Sequence, residues 1–209
     1  MLPREVIHGL LPSASITSLP NLTFVDGTLG GAGHSQLILE TFPSCNLLCI
    51  DRDVDALNNA SKMLVGYKGR VHLAHGSYKD VKDLLHSATL PSKVHGILVD
   101  LGVSSHQIDT PSRGFSFRFE SELDMRFDQG NHKISTAKSV IRDISEVNLG
   151  KIIKDHGEEP QWRRIATEIC KGRMGKEICT TGDLTEILNL LGGSDREKRK
   201  RSSRVFQVH

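Results

Sequence analysis

Hydrophobic and polar positions follow two different rhythms along this chain. From Asn21 to Asp100, short apolar runs punctuate stretches of helical periodicity. Leu22 to Val25, Asn46 to Ile50, Arg70 to Ala74 and Val94 to Val99 read as strands, with helices at Ser35 to Glu40, Val54 to Leu64 and Val81 to Leu85 between them. Strand and helix alternating at this spacing predict an α/β fold with a parallel sheet and right-handed crossovers. Open sheets of this kind normally hold more than four strands, so the pattern predicts an incomplete sheet.

After Asp100 the strand rhythm stops. A polar stretch containing Gly and Arg runs to Asn131, and helical patterns follow at Ala137 to Ile144, Gln161 to Gly172 and Leu184 to Leu191. Trp162, Ile165, Ala166 and Ile169 recur at helical spacing and predict one apolar face. The expected organisation is a core over residues 1–104, a helical lobe over 105–191, and a basic loop with the start of a returning core segment over 192–209. The stretch Gly192 to Arg204 holds Arg196, Lys198, Arg199, Lys200, Arg201 and Arg204 and almost nothing apolar. It reads as an exposed loop, a solvated linker in the first instance and a phosphate-contacting segment in the second.

Composition adds limits. With 209 residues, 37% hydrophobic and 25% charged, the chain is long enough for one sizeable core or a domain plus a lobe. A formal charge of +2 is too mild to identify a nucleic-acid binder, so local clusters must decide. Cys45, Cys49, Cys170 and Cys179 show neither C-x-x-C pairing nor ordered Cys/His spacing, which predicts reduced thiols and no metal site. No apolar run approaches the ~20 residues of a membrane span. The opening Met1-Leu2-Pro3-Arg4-Glu5 lacks the plan of a signal or transit peptide.

Two features carry chemistry in the first half. Asp26-Gly27-Thr28-Leu29-Gly30-Gly31-Ala32-Gly33-His34 lies between the first strand and the first helix, where such folds bind a nucleotide-like ligand. Glycines there let backbone approach the ligand, and the helix N-terminus offers free N–H groups. About twenty residues on, the second strand ends in Asp51-Arg52-Asp53. A carboxylate at that strand end accepts both hydroxyls of an adenosine ribose, and Asp51 is assigned that role, with Asp53 the cap of the following helix. A dinucleotide would use the same geometry. The loop is not a spaced G-x-G-x-x-G, however, and Asp26 suits the amino group of a methionine moiety better than a pyrophosphate, whose charge it would repel. That favours S-adenosylmethionine. Tyr78 in Gly76-Ser77-Tyr78 stands either beside the adenine or simply over the sheet end, with the latter slightly preferred on spacing.

The densest cluster is Asp100-Leu101-Gly102-Val103-Ser104-Ser105-His106-Gln107, followed by Arg113-Gly114-Phe115-Ser116-Phe117-Arg118 and Leu123-Asp124-Met125-Arg126. Methyl transfer to an exocyclic amine needs the nitrogen held in line and acceptors that take up its developing charge, which Asp100 and nearby carbonyls supply as the catalytic candidate. His34 and His106 read first as hydrogen-bonding or exposed residues and only second as bases. Phe115, Phe117, Arg118 and Arg126 either clamp a flipped base or lock the loop onto the helical lobe.

Taken in order, these motifs resemble the small-subunit ribosomal RNA cytosine-N4 methyltransferase family of bacteria and organelles. The likeness continues through Gly157-Glu158-Glu159, Arg164-Ile165-Ala166, Thr180-Thr181-Gly182-Asp183-Leu184 and Ser203-Arg204-Val205-Phe206-Gln207, nearly the whole chain. It implies a class I methyltransferase core, Rossmann-like, with an inserted helical domain. The implied activity is methylation of a decoding-centre cytidine, with S-adenosylmethionine as cofactor and ribosomal RNA in the small subunit as partner. Implied cofactor contacts fall on Ala32, Gly33, His34, Asp51, Tyr78, Asp100 and Gln107, joining Asp26 and Gly30 of the glycine loop. Candidate substrate contacts, read from the residues themselves, are Arg113, Phe115, Phe117, Arg118 and Arg126. Localisation follows the organism: cytoplasm in bacteria, chloroplast or mitochondrion in eukaryotes. Ala32 stands where the family usually has glycine, which is tolerable if its φ is negative. The family's His-x-Pro-Val-Leu opening is absent. Members continue past Phe206-Gln207 through further strands and a Ser-Phe-His-Ser-Leu-Glu-Asp-like motif, which implies a fragment, an alternative product, or completion by a partner such as a second copy.

Overall fold

The computed structural model describes residues 3–10 and 21–208. The Met1-Leu2 opening lies outside them. The chain divides into two compact units, 1–104 and 105–209, each with its own core.

In the first unit, helix α1 (Pro3–Leu10) precedes β1 (Thr23–Asp26), α2 (Gly33–Thr41), β2 (Asn46–Asp51), α3 (Val54–Met63), β3 (Val71–His75), α4 (Val81–Ser87) and β4 (Gly96–Leu98). The strands form one parallel sheet in the order β3-β2-β1-β4. The order in which strands are added therefore reverses at β1, between β2 and β4, and crevices at such switch points hold the ligands of open α/β folds. β1 is buried along its whole length, and β2 is nearly so, because both faces are covered. One face packs Phe24, Leu47 and Cys49 against α2 residues Ile38 and Leu39 and the adjoining Phe42. The other packs Val25, Leu48 and Ile50 against Leu85 of α4. Rings of Phe24 and Phe42 meet at 5.0 Å. The edge strand β4 is shorter than the run Val94 to Val99 suggested, and Ile97, Val99 and Leu101 stand exposed along it.

The second unit comprises α5 (Ser105–Asp109), α6 (Ala137–Asp143), α7 (Glu146–Asp155), α8 (Trp162–Gly175), α9 (Thr181–Leu190) and α10 (Asp195–Phe206). The apolar face expected on α8 is present: Ile165, Ala166 and Ile169 are buried, and Trp162 packs at the edge of the same cluster. α7 has no counterpart among the expected helices. Its N-cap Ser145 accepts from the Asn148 amide, and Gly150 brings it against α8, where a Cβ would sit 2.9 Å from the Trp162 ring. No helix among the described residues is long and apolar enough to cross a membrane.

The expected exposed loop at 192–204 is replaced by α10, for physical reasons visible in the residues themselves. Ser194 and Glu197 form a reciprocal capping box that satisfies the first orphan amides. Arg201 is buried and donates to the carbonyls of Leu188 (2.7 Å) and Gly192 (3.1 Å), which closes the C-terminal end of α9. Val205 and Phe206 are buried in the helical core, a gain of roughly 1.5–3 kcal/mol each. Composition suggested a loop, but every fourth position or so supplies an anchor.

Candidate functional site

The glycine loop leaves β1 and is held from three sides. The amide of Gly27 donates to the Leu98 carbonyl (2.8 Å), that of Leu29 to Ile50 (3.0 Å), and that of Gly30 to the Asp51 carboxylate (2.8 Å). Gly27 leaves little room for a side chain: a Cβ would stand 3.0 Å from the Tyr78 Cβ and 3.3 Å from a Val99 methyl. The ends of β1, β3 and β4 thus close tightly around one backbone turn. Ala32, the N-cap of α2, has φ 61° and ψ 9°. The condition under which alanine is free of strain, a negative φ, is not met here. The alanine occupies the left-handed region that glycine adopts freely, at a cost of about 1 kcal/mol.

Asp26 was expected to meet the ligand's amino group. Instead it is 1% exposed and turned inward. One carboxylate oxygen accepts from the Ser35 hydroxyl (2.7 Å) and the other from the Thr28 amide (3.2 Å), so Asp26 ties the loop to the first turn of α2. Burial raises its pKa above the usual carboxylate range, and the Ser35 and Thr28 bonds counter only part of that. The same burial pushes the neighbouring Cys49 thiol up to about 12, so it stays neutral.

Asp51 has the opposite disposition. Its two oxygens accept from the amides of Gly30 (2.8 Å) and Asp53 (2.9 Å), one bond each. A carboxylate oxygen has capacity for two, so each retains one acceptor position for an external donor. Two hydroxyls on adjacent carbons match that pair. Asp53 caps α3 by accepting from the Asp55 amide, as expected.

On β4's exit, the Asp100 amide donates to the Thr28 hydroxyl at 2.7 Å, while its carboxylate remains 66% exposed. His34 Nε2 lies 3.5 Å from that carboxylate, and the side chain is only 12% exposed. Its other ring nitrogen, Nδ1, is buried without a partner, a polar atom that a bound group would satisfy. Tyr78 stands partly exposed at the end of β3. The first unit thus gathers Gly30, Ala32, Gly33, His34, Asp51, Tyr78 and Asp100 at the C-terminal ends of its strands. Gln107 is a buried residue of α5, in the second unit. Thr28 and Ser35 join the site without having been singled out by the sequence pattern. Thr28 is two residues past Asp26, the spacing at which an aspartate bonds a later amide, and that signal was available.

Among the substrate candidates, packing favours the loop-locking alternative for four of five. Arg113 is 2% exposed and donates to the carbonyls of Arg126 (3.1 Å) and Phe127 (2.8 Å). Phe115 is buried, with Phe127 at 5.4 Å, and Phe117 meets Phe206 at 5.6 Å. Arg126 is engaged in a two-pronged pair with Asp124. Burial opposes the Asp124 charge, but the Arg126 bonds outweigh it and hold the carboxyl below its usual range. Arg118 differs: its side chain is 57% exposed, paired with Asp109 at 2.8 Å and lying over the Phe119 ring.

A parallel sheet with its switch point at β1, a glycine loop there, and carboxylates closing the next strand and the edge strand define a class I S-adenosylmethionine-dependent methyltransferase fold. Residues 1–208 match the MraW methylase family, and the chain belongs to that family. It is 40% identical to the ribosomal RNA small subunit methyltransferase H of Syntrophotalea carbinolica over 211 residues, all of this chain and 64% of that protein. A protein of the same name from Persephonella marina is 46% identical over 164 residues, 78% of this chain and 55% of the relative. Ribosomal RNA small subunit methyltransferase H 2 of Agathobacter rectalis is 44% identical over 171 residues, 81% of this chain and 54% of that protein. The chain thus spans between half and two thirds of the length of these curated relatives.

Proposed function

We propose that this chain serves methyl transfer from S-adenosylmethionine to the N4 amine of a cytidine in small-subunit ribosomal RNA. The observation that carries the reading is the pair of carboxylates around one glycine loop: Asp51, with an acceptor position left on each oxygen, and Asp100, exposed beside His34. The relatives' names supply the substrate class, and family membership supplies the transferred group.

The residues fit an adenosine-bearing cofactor. Asp51 accepts from the two ribose hydroxyls, the backbone of Gly30 to Gly33 lies against the ligand, and the buried Nδ1 of His34 gains a polar partner. Tyr78 flanks the adenine. S-adenosylmethionine supplies an electrophilic methyl group on a positively charged sulfur. Asp100 accepts a hydrogen bond from the substrate amine, which orients the nitrogen lone pair and stabilises the positive charge that grows there. No strong base is required, because the amine sheds its proton after the new bond forms. Arg118 is the substrate-facing residue among the five considered; Arg113, Phe115, Phe117 and Arg126 hold its loop in place.

Calorimetric titration with S-adenosylmethionine tests the first half of this reading. Incubation with small ribosomal subunits, followed by mass spectrometry for N4-methylcytosine, tests the second. Binding with product is the expected result. A folded chain that binds no cofactor refutes the site, and binding without product refutes turnover by this chain.

A further inference from the structure

The basic residues that anchor α10 differ from those it presents outward. Arg201 is buried and Arg204 pairs with Glu159 at 3.3 Å, so both hold the helix to its own unit. Arg196, Arg199 and Lys200 are exposed, and among the described residues none has a carboxylate within ion-pair distance. Positions 196, 199, 200 and 203 follow the three-and-four spacing of a single helix face, opposite the one that buries Arg201, Ser202, Val205 and Phe206. That face therefore presents two guanidinium groups, an ammonium and the Ser203 hydroxyl over roughly 10 Å of helix. Of the acidic residues of α10, Glu197 is taken up by the Ser194 amide and hydroxyl at 2.7 and 2.8 Å, and Asp195, one turn before Arg199, makes no ion pair with it.

We infer that this stripe on α10 is a phosphate-tracking contact for RNA, separate from the residues at the glycine loop. It rests on the reading of the chain as acting on ribosomal RNA. Three features favour a polyanionic backbone. The cations are not neutralised, so they are available to displace counterions from a chain of phosphates. They sit on a capped and anchored helix, so little side-chain support has to be ordered on contact. The stripe also carries no apolar or aromatic residue, whereas a helix that lies in a membrane surface needs an apolar face to insert. Contacts of this kind fix position and strength without reading sequence.

Each phosphate neutralised on single-stranded nucleic acid contributes about 0.7 to the slope of log K against log salt. Three contacts give a slope near 2, so their loss weakens binding by about 100-fold at 0.1 M salt. The experiment compares the full chain, the variant R196A/R199A/K200A and the control K62A/K68A/K93A, which removes equal charge from exposed positions of the first unit. Affinity for purified small-subunit ribosomal RNA is measured from 0.05 to 0.4 M salt, with S-adenosylmethionine affinity and thermal unfolding alongside. The expected result is a slope reduced by about 2 for the α10 variant only, with cofactor affinity and melting unchanged. Equal slopes for the α10 variant and the parent overturn the inference while leaving the functional reading intact. A parent chain that binds cofactor but no RNA overturns the functional reading itself. Anionic phospholipid vesicles form a further arm: capture of the parent and not of the α10 variant, without the RNA difference, reassigns the stripe to a lipid surface.

Discussion

Gly114 offers a quantitative test of how the second unit is built. It closes the turn after Arg113 with φ +71°, in the left-handed region. A Cβ there would overlap the Glu122 carbonyl oxygen and come within 2.9 Å of the Asp124 nitrogen. Both obstacles are backbone, and that backbone is fixed: the Met125 amide donates to the Arg113 carbonyl (3.0 Å) and the Leu123 amide to Cys179 (2.9 Å). Gly114→Ala therefore carries two costs, about 1 kcal/mol for the left-handed conformation and about 2 kcal/mol for overpacking. Restriction of the unfolded chain returns about 0.5 kcal/mol. The net expectation is a loss of roughly 2–3 kcal/mol, or a melting temperature lower by about 5–10 °C. Gly192 is the internal control, since its φ of +73° is nearly the same and a Cβ there meets nothing within 4 Å. Gly192→Ala isolates the conformational cost, and the difference between the two variants isolates the overlap. Urea and thermal unfolding followed by circular dichroism give both values. If Gly114→Ala proves no more destabilising than Gly192→Ala, the close approach of the 113–114 turn to residues 122–124 is not real.

Three further outcomes are expected. Asp51→Ala removes acceptors for two ribose hydroxyls and the anchor of the Gly30 amide, so affinity for S-adenosylmethionine falls by at least about 100-fold in calorimetry; retained affinity dismisses the ribose role. Ala32→Gly relieves about 1 kcal/mol of left-handed strain but loses a buried methyl and adds freedom to the unfolded chain, effects of similar size and opposite sign. Its melting temperature stays within ~3 °C of the parent, and a large gain would mean that the strain outweighs both losses. Hydrogen bonding from Lys176, aided by the amides of Cys179 and Thr180, holds the Asp183 carboxyl down to about 2, against its ordinary 3.8. Between those values the unfolded chain binds more protons than the folded one, so this contribution is complete above pH 4 and disappears as pH falls to 2. Asp183→Asn flattens that part of the acid-stability curve in urea titrations, and an unchanged slope contradicts the pairing.

Sequence pattern carried the first half of the molecule well. Apolar runs flanked by helical periodicity located all four strands to within a few residues, because each strand is bounded by residues that cannot extend it. The place of Asp51 at the end of β2, beside the glycine loop, was legible too, while its ribose role is the proposal made above. Asp26 was misjudged, because the sequence does not show which way a carboxylate turns, and Ser35 on the next helix pulls it inward. The α10 error has a different cause. A composition rule averaged over thirteen residues hid the Ser194 to Glu197 box and Arg201 and stopped short of Val205 and Phe206, anchors that together outweigh the run of charge. In the Arg113 to Arg126 stretch, aromatic and cationic residues suit base clamping and loop locking equally well. Only the partners of each guanidinium distinguish the two.

The position of β1 between β2 and β4 also bears on how the chain assembles. The register that joins Phe24 to Gly96 spans more than seventy residues of intervening chain, so the first unit's centre stays unsealed until β4 has been synthesised. Although Phe117 on Phe206 and Leu123 on Cys179 close longer stretches, the second unit relies mainly on neighbouring helices, α7 on α8, α8 on α9 and α9 on α10, whose closures are short. Such contacts form fast, whereas the sheet must wait for its last strand, with Phe24, Val25 and Leu48 exposed in the meantime. The sheet of the first unit therefore cannot close until β4 has been made, and the interval before β4 arrives is when its apolar strands are most open to aggregation and to chaperones.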